Sequence, residues 1–570
     1  MATDPRAPLI TRIPPKPTHF AYRTGTRASD IPLLTAGTTT GVTINELAPT
    51  TRRIIQTDDG QVYATVSFSG GYSGGTPASM QVRLNYKGGG AFQANTTLSG
   101  FSAGGGAWSG TMPVPAGSWL LAIAQDPTSG QTSSAQTIWW GVGDRFDVTG
   151  QSNALKWFAA YFRGGGASVP VDDHSAVAPQ VSTATDGWEL PNQVSIAQGG
   201  GYDNDAPNAF SLLFRAAYIA LNGAGDTRPC GFGAAASGGV PLNPNWLPGG
   251  VNWTGYVNVT NLSDIGAQCK LWIWAQGEAE TAAFQANAVN YYTDLGSLIT
   301  NVKARVNRSD FKFGIIGLGS EVDPGNTNDT ATNLVRLAQW NRAHEAGNLY
   351  LGTTYDIGID TNYHHIDYFY WWSNRASLGG GQQNYTQSDL DGYWRLAKRA
   401  ANAYLYSIGL SPYGSDGPQI TSGSLVGNVV TARCTQWSGG TRLQMGDGST
   451  GGTNLPSLNV QVNGSVVPIT STAFSGNNII INLSSTPPAG SSVTVHYGEG
   501  ANPFNFTAGN SFVNVICDDN VYGGAGALAT ILNAEGTPGH GDGMGLPLVS
   551  TFGAGVLVST PGIPVGAMSC

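Results

Sequence analysis

The spacing of apolar residues changes character twice along the chain. From about residue 51, short stretches alternate apolar and polar positions or run apolar between Gly- and Ser-rich turns: VYATVSFSG (62–70), SMQVRLNYKG (79–88), GAWSGTMPV (106–114) and SWLLAIAQD (118–126). A period of two with turn residues between the runs predicts strands, and about 90 residues of it predict a β-sandwich over 51–140. Near 141 the pattern becomes short apolar runs separated by stretches of helical spacing. LWIWA (271–275), FKFGIIGLG (311–319) and NLYLGTTYDI (348–357) read as strands. Residues 205–220, 287–306, 331–346 and 388–407 read as helices, the last with Asp near its start and basic residues further on, as the helix dipole favours. This alternation predicts an α/β domain with a mostly parallel sheet over 141–412. After SPYGSDGP the strand pattern returns in VVTARC, LNVQVNG, NNIIINLSS and SSVTVHYG, predicting a second β-sandwich over 413–500. Residues 1–50, rich in Pro and Thr, read as an extended arm, and 501–570 as a Gly-rich segment of strands and loops.

Composition narrows the function classes. Of 570 residues, 41% are hydrophobic, a globular share, but only 11% are charged and 80 are Gly. Such a balance suits short strands joined by tight turns. The net charge is −9 and no Lys/Arg cluster interrupts it, so nucleic acid is not an expected partner. No apolar run reaches the roughly 18 residues of a membrane span, so no membrane insertion is expected. The five cysteines (Cys230, Cys269, Cys434, Cys517, Cys570) show no CxxC spacing, so neither a metal site nor a cofactor is signalled. Cys230 and Cys269 follow hydrophobic patterns and read as small buried residues. The N-terminal MATDPRAPLITRIPPKP has no apolar run of the signal-peptide kind. An extracellular or virion-associated location is the expectation, with virion or homo-oligomer partners meeting the N-terminal arm.

Two serines sit in sequence contexts of nucleophiles. Gly71–Gly75 (GYSGG) matches G-x-S-x-G, but it lies between two β stretches, whereas that motif requires a strand, a sharp turn and a helix. The segment 141–153 (GVGDRFDVTGQSN) has that order: a strand runs into Gly150-Gln151-Ser152-Asn153 and then the helical ALKWFAAYF. A Ser at such a turn stands at the carboxyl edge of the sheet, where its N–H and the helix N-terminus favour an oxyanion. Taken alone, Ser152 is equally well a helix N-cap.

GQSN following G-x-G-D resembles the nucleophile block of SGNH hydrolases, in particular of the sialate O-acetylesterase type. PCGFGAAASGGVPLNPNW (229–246) is similar to that family's Gly-Gly loop, WAQGEAE (274–280) to its W-x-Q-G-E block, and DGYWRLAKRAANAY (391–404) to its final helix. The resemblance implies an SGNH, flavodoxin-like three-layer domain flanked by β-sandwiches, and removal of O-acetyl groups from a glycan. It implies Ser152 as nucleophile, with oxyanion donors from the Ser152 N–H, Gly238 or Gly239, and the Gln276 side chain. Asn153 and Glu278 would support the site. The family's Asp-x-x-His spacing is not kept in IDTNYHHIDYFY (359–370): Asp360 lies four residues before His364 and five before His365. The general base is therefore His365 or His364, and the orienting acid Asp360 or, from the neighbouring strand end, Glu278. Two other readings stand beside the esterase: an esterase fold kept as a non-catalytic glycan-binding virion component, and an esterase or lipase on non-carbohydrate esters.

Overall fold

A computed structural model describes residues 42–43, 54–154 (except 74, 88 and 138), 175–177, 214, 229–261, 268–320, 328–355, 391–410, 414, 416–504 (with short breaks at 437–439, 446–449, 454 and 456), 515–518 and 548–559. The first region is built from β1 (Val42–Thr43), β2 (Ile54–Gln56), β3 (Tyr63–Tyr72), β4 (Gln81–Tyr86), β5 (Ala91–Thr97), β6 (Ser99–Gly104), β7 (Ala107–Pro115) and β8 (Gly117–Gln125). β1, β3, β7 and β6 form one sheet, and β8, β4 and β5 extend the other. Alternate residues of both sheets meet in one core: Val66, Phe68, Trp108 and Met112 against Val82, Leu84, Leu120 and Trp140. Gly71 and Tyr72 of the GYSGG segment belong to strand β3, which pairs with β7, and the next element is strand β4, so no helix follows this Ser.

β9 (Trp140–Gly150) joins the first region to the second. Its start pairs with β8 and, in parallel, with β2. Its last seven residues pair with β11 (Cys230–Ala236), and its last five with β12 (Leu271–Ala275) on the opposite edge. Every residue of β9 is buried, which explains why WGVGDRFDVTG shows no simple alternation. β13 (Lys312–Gly317) and β14 (Asn348–Thr353) continue beyond β12, and β10 (Ser175–Val177) lies outside β11. The pairings among β9 to β14 are all parallel. Counting β9 as the first strand of this parallel part, the order β10-β11-β9-β12-β13-β14 is 2-3-1-4-5-6, so later strands are added on both sides of β9, as in doubly wound sheets.

Helices cover both faces. α1 (Val251–Asn261), the single turn α2 (Glu278–Thr281), α3 (Tyr291–Val306) and α4 (Asp329–Ala343) lie to one side. There Leu295, Leu298, Ile299, Val302 and Val306, at helical spacing on α3, pack on Trp272, Trp274 and Phe313. The Asn328 side chain caps α4 by accepting from Ala331 N at 3.0 Å. On the other face α5 (Asp391–Ser407) buries Leu396, Ala397, Ala400 and Tyr404, and Tyr404 meets Phe146 of β9 edge-on. The expected helix at 287–306 is divided: 285–290 forms a 3-10 turn and α3 begins at Tyr291. Of 205–220, only Phe214 lies within the described residues, buried against Phe146. Among the described residues no helix is long and apolar enough to cross a membrane.

The third region is a nine-stranded sheet that takes strands from 419–426, 429–435, 458–462 and 478–497 and also from Val556–Ser559, which fits between 419–426 and 493–497. Phe504, Ile516, Leu548 and Val558 complete its core, so part of the 501–570 segment belongs to this region. Arg336 of α4 fastens it to the α/β domain. Its buried guanidinium donates to Leu318 O (3.1 Å), Gly319 O (2.6 Å) and Gly500 O (2.6 Å). Truncating it strands several buried carbonyls, each costing about 1–3 kcal/mol. Arg336→Ala is thus expected to destabilise the docked third region by about 3 kcal/mol or more, read as an earlier urea transition and faster proteolysis between 410 and 420. An unchanged transition would show that the domains hold together by other means.

Candidate functional site

Three parallel strands end at one level: Ala236 of β11 and Ala275 of β12 both pair with Gly150 of β9. The order in which strands are added reverses between β9's two neighbours, and the crevice outside the carboxyl ends at such a switch point is where open α/β sheets bind ligands. Gly150 has φ +136°, and a Cβ there would stand 1.9 Å from Ala275 O, so only glycine allows this approach. Gln151 N then donates to Ala275 O (3.0 Å), and Ser237 N to Gly150 O (3.1 Å), locking the three strand ends.

Each strand end delivers one predicted group. Past β9, residues 152–154 form a helical turn; Gln151, Asn153 and Ala154 are buried, and Ser152 alone is half-exposed. Past β11, Gly238 and Gly239 are exposed, and a Cβ on Gly238 would lie 3.8 Å from the Ser152 Cβ, so this loop runs alongside the serine. Gly239 takes φ +67°, the left-handed region. Past β12, Gln276 is 2% exposed and its amide is fully engaged. Its Nε2 donates to Glu280 Oε2 (2.5 Å) and, over a longer 3.3 Å, to Val240 O, while its Oε1 accepts from Tyr291 OH (2.9 Å). Asn153 Nδ2 donates to Glu278 Oε1, and Gln151 Oε1 accepts from Ala279 N (3.3 Å), tying the serine loop to α2. The structure thus brings together Ser152, Asn153, Gly238, Gly239, Gln276 and Glu278. Asp360, His364 and His365 lie outside the described residues.

Three further participants are not singled out by the sequence patterns. Glu280 stands four residues after Gln276, in the single turn α2 that follows the Gly277 turn, and reaches back to the Gln276 amide. Tyr291 is 15 residues downstream at the start of α3, and Gln339 of α4 donates to Gln276 O (2.7 Å) while accepting from Leu318 N (2.8 Å). No local pattern marks either one, because only packing of α3 and α4 on β12 brings them to the site. Gly277, φ +145°, makes the β12–α2 turn; a Cβ there would press on Val335 at 2.8 Å.

Burial pushes the Glu280 carboxyl up to about 7, against the pull of hydrogen bonds from Leu242 N and the Gln276 amide, and the neighbouring Glu278 adds to the rise. The Tyr291 hydroxyl, fully enclosed, is also raised.

The fold and this site define the class: an α/β protein with a hydroxyl nucleophile candidate at the switch point of a doubly wound sheet, faced by a glycine loop. Residues 208–368 match the family model of carbohydrate esterases described as sialic acid-specific acetylesterase. The matched stretch is of this sialate O-acetylesterase type and supports an esterase. The match spans β11 to β14, with the Gly-Gly loop, Gln276 and the histidine pair; Ser152 lies upstream of it. Among solved structures the chain is similar to a carbohydrate acetylesterase from Xanthomonas citri, at 17% identity over 82% of this chain and 96% of that one, TM-score 0.49. It is also similar to a protein from Arabidopsis thaliana (16%, 46% and 98%, TM-score 0.33). A third is a family two carbohydrate esterase from Clostridium thermocellum (11%, 61% and 90%, TM-score 0.26). No curated protein sequence matches the chain.

The raised Glu280 carboxyl links stability to pH. Between about pH 4.5 and 7 the folded protein keeps a proton that the unfolded chain has released. This contribution is therefore full below about 4.5 and is lost as pH rises through about 7. Each tenfold gain in proton affinity on folding corresponds to about 1.4 kcal/mol of it. Glu280→Gln is expected to flatten the fall in melting temperature across that window. A variant whose melting profile keeps the wild-type slope would place the titrating group elsewhere.

Proposed function

We propose that the protein is a serine esterase that removes O-acetyl groups from a glycan, on an SGNH domain of the flavodoxin-like, three-layer kind. The observation that carries this reading is Ser152: half-exposed at the strand-to-helix turn of β9, beside the Gly238–Gly239 loop and next to the strand end bearing Gln276. The family match supports an acetylated glycan as the substrate class.

In this mechanism Ser152 Oγ attacks the acetyl carbonyl while His365, or its neighbour His364, takes the hydroxyl proton. Asp360 orients that imidazole. The negative charge that develops on the carbonyl oxygen is met by the Ser152 N–H and by an N–H of Gly238 or Gly239. The Gln276 amide is the third donor. Its 3.3 Å bond to Val240 O is the longer of its two, and it is the one for which an oxyanion would compete; such bonds tighten on the transition state. Collapse of the tetrahedral intermediate breaks the ester bond, and the sugar hydroxyl leaves with the proton carried by the histidine. Water, deprotonated by the same imidazole, then releases acetate and restores Ser152. Asn153 and Glu278, joined to each other, hold the serine turn against α2.

Ser152→Ala is expected to lower acetate release from an acetylated polysaccharide by about 10⁴-fold or more while leaving the melting temperature near wild type. Gln276→Ala, which removes one donor, is expected to cost about 100- to 1000-fold in kcat. Acetate release that survives in Ser152→Ala would reject the mechanism, as would failure of a serine-directed phosphonate to label Ser152 in active protein.

A further inference from the structure

Glu280 has a geometry that the roles above leave unused. It sits in the single turn α2, is 1% exposed, and its two oxygens face different loops. Oε1 accepts the backbone N–H of Leu242 at 2.6 Å, in the segment that follows the Gly-Gly loop after β11. Oε2 accepts the Gln276 side-chain amide at 2.5 Å, at the end of β12. The same segment is held a second time, because Val240 O accepts from Gln276 Nε2. Pro241, between these two contacts, has no N–H of its own and a fixed φ, so it transmits the position of Leu242 back toward Gly239 with little slack. On its far side Gln276 is fixed by Tyr291, whose hydroxyl donates to Gln276 Oε1 and in turn accepts from Trp274 Nε1 at 3.2 Å.

We propose that Glu280 is a positioning residue of the esterase site, which by bridging Leu242 N and the Gln276 amide sets the glycine loop and the Gln276 donor in one register over Ser152. The inference rests on the reading of Ser152 as nucleophile and deepens it. Two donors supplied by two different strand-end loops act on one oxyanion only if the loops keep a fixed separation, and a misplacement of about 1 Å costs on the order of 100-fold in rate. A buried carboxyl is expensive to keep unless donors converge on it, and here two donors from two loops do. Its raised affinity for a proton fits the same role, since it limits the negative charge held beside a developing oxyanion.

The test compares Glu280→Ala and Glu280→Gln with wild type on p-nitrophenyl acetate. Glu280→Gln keeps an acceptor for Leu242 N but sets an NH2 group against that of Gln276. Both are expected to lower kcat by about 10- to 100-fold with KM changed less than about threefold, the Ala variant more than the Gln variant. Combined with Gln276→Ala, the losses should be far from multiplicative, because both changes disable one unit. Thermal melting identifies the folded variants; should Glu280→Ala not fold, the isosteric Gln variant decides. A folded Glu280 variant with kcat within about twofold of wild type, or losses that multiply fully with that of Gln276→Ala, would overturn the inference. Ser152→Ala measured alongside separates the two levels: activity that survives it sinks the esterase reading, whereas its inactivity beside fully active Glu280 variants sinks only the role of Glu280.

Discussion

The close approach of two strand ends, Gly150 of β9 against Ala275 of β12, is the constraint from which the site follows. The Gly150 backbone takes a conformation that side chains disfavour and leaves no room for a Cβ. Because the strands touch there, Gln151 N finds Ala275 O, the serine turn is anchored before its helix begins, and Gln276 emerges beside it rather than a residue earlier or later. In a parallel sheet the register of neighbouring strands decides which residues share the carboxyl edge. A slip by one residue would turn every following side chain to the other face.

β9 also explains how the first two regions act as one framework. Its first residues belong to the N-terminal sheets and its last ones lie between β11 and β12, so a single buried strand carries the first core into the second. Charges strengthen this joint. Lys270 pairs with Asp144 of β9 at 2.9 Å, and Arg308 donates to Thr57 O at 2.9 Å while its guanidinium pairs with Asp310. Asp59 accepts from the amides of Ser309 and Asp310, which holds its carboxyl well below the usual range. At the other end Arg336 directs its donors to carbonyls of both the α/β domain and the third region, and such multiple bonding is what makes a buried guanidinium tolerable.

Around the site, polar groups are buried in a connected set rather than singly. Gln276, Glu280, Tyr291, Gln339 and the amides they meet share hydrogen bonds across β12, α2, α3 and α4. Fully satisfied networks of this kind specify one arrangement of side chains, at the expense of stability that an apolar core would supply. The stacked indoles of Trp272 and Trp274, 5.7 Å apart, lie on the same face of β12 and supply that apolar support to the strand just before it reaches the site.

The sequence alone determined the order of elements and the candidate residues at the three strand ends. LWIWA is β12 residue for residue, and the β patterns at 62–70, 106–114 and 429–434 fall on strands, because period two with turn residues is a local signal. Ser152 was legible because it stands between an apolar run and a stretch of helical spacing, and Gly238, Gly239 and Gln276 because their segments resemble the motifs of a known family. Tertiary structure decided the rest. The strand order 2-3-1-4-5-6, the sharing of β9 between two regions, the entry of Val556–Ser559 into the third sheet, and the convergence of Glu280, Tyr291 and Gln339 on Gln276 all depend on pairings between elements distinct in the chain. Those pairings are selected by which buried faces and polar groups satisfy one another after the chain has folded, and no local pattern of residues encodes that choice.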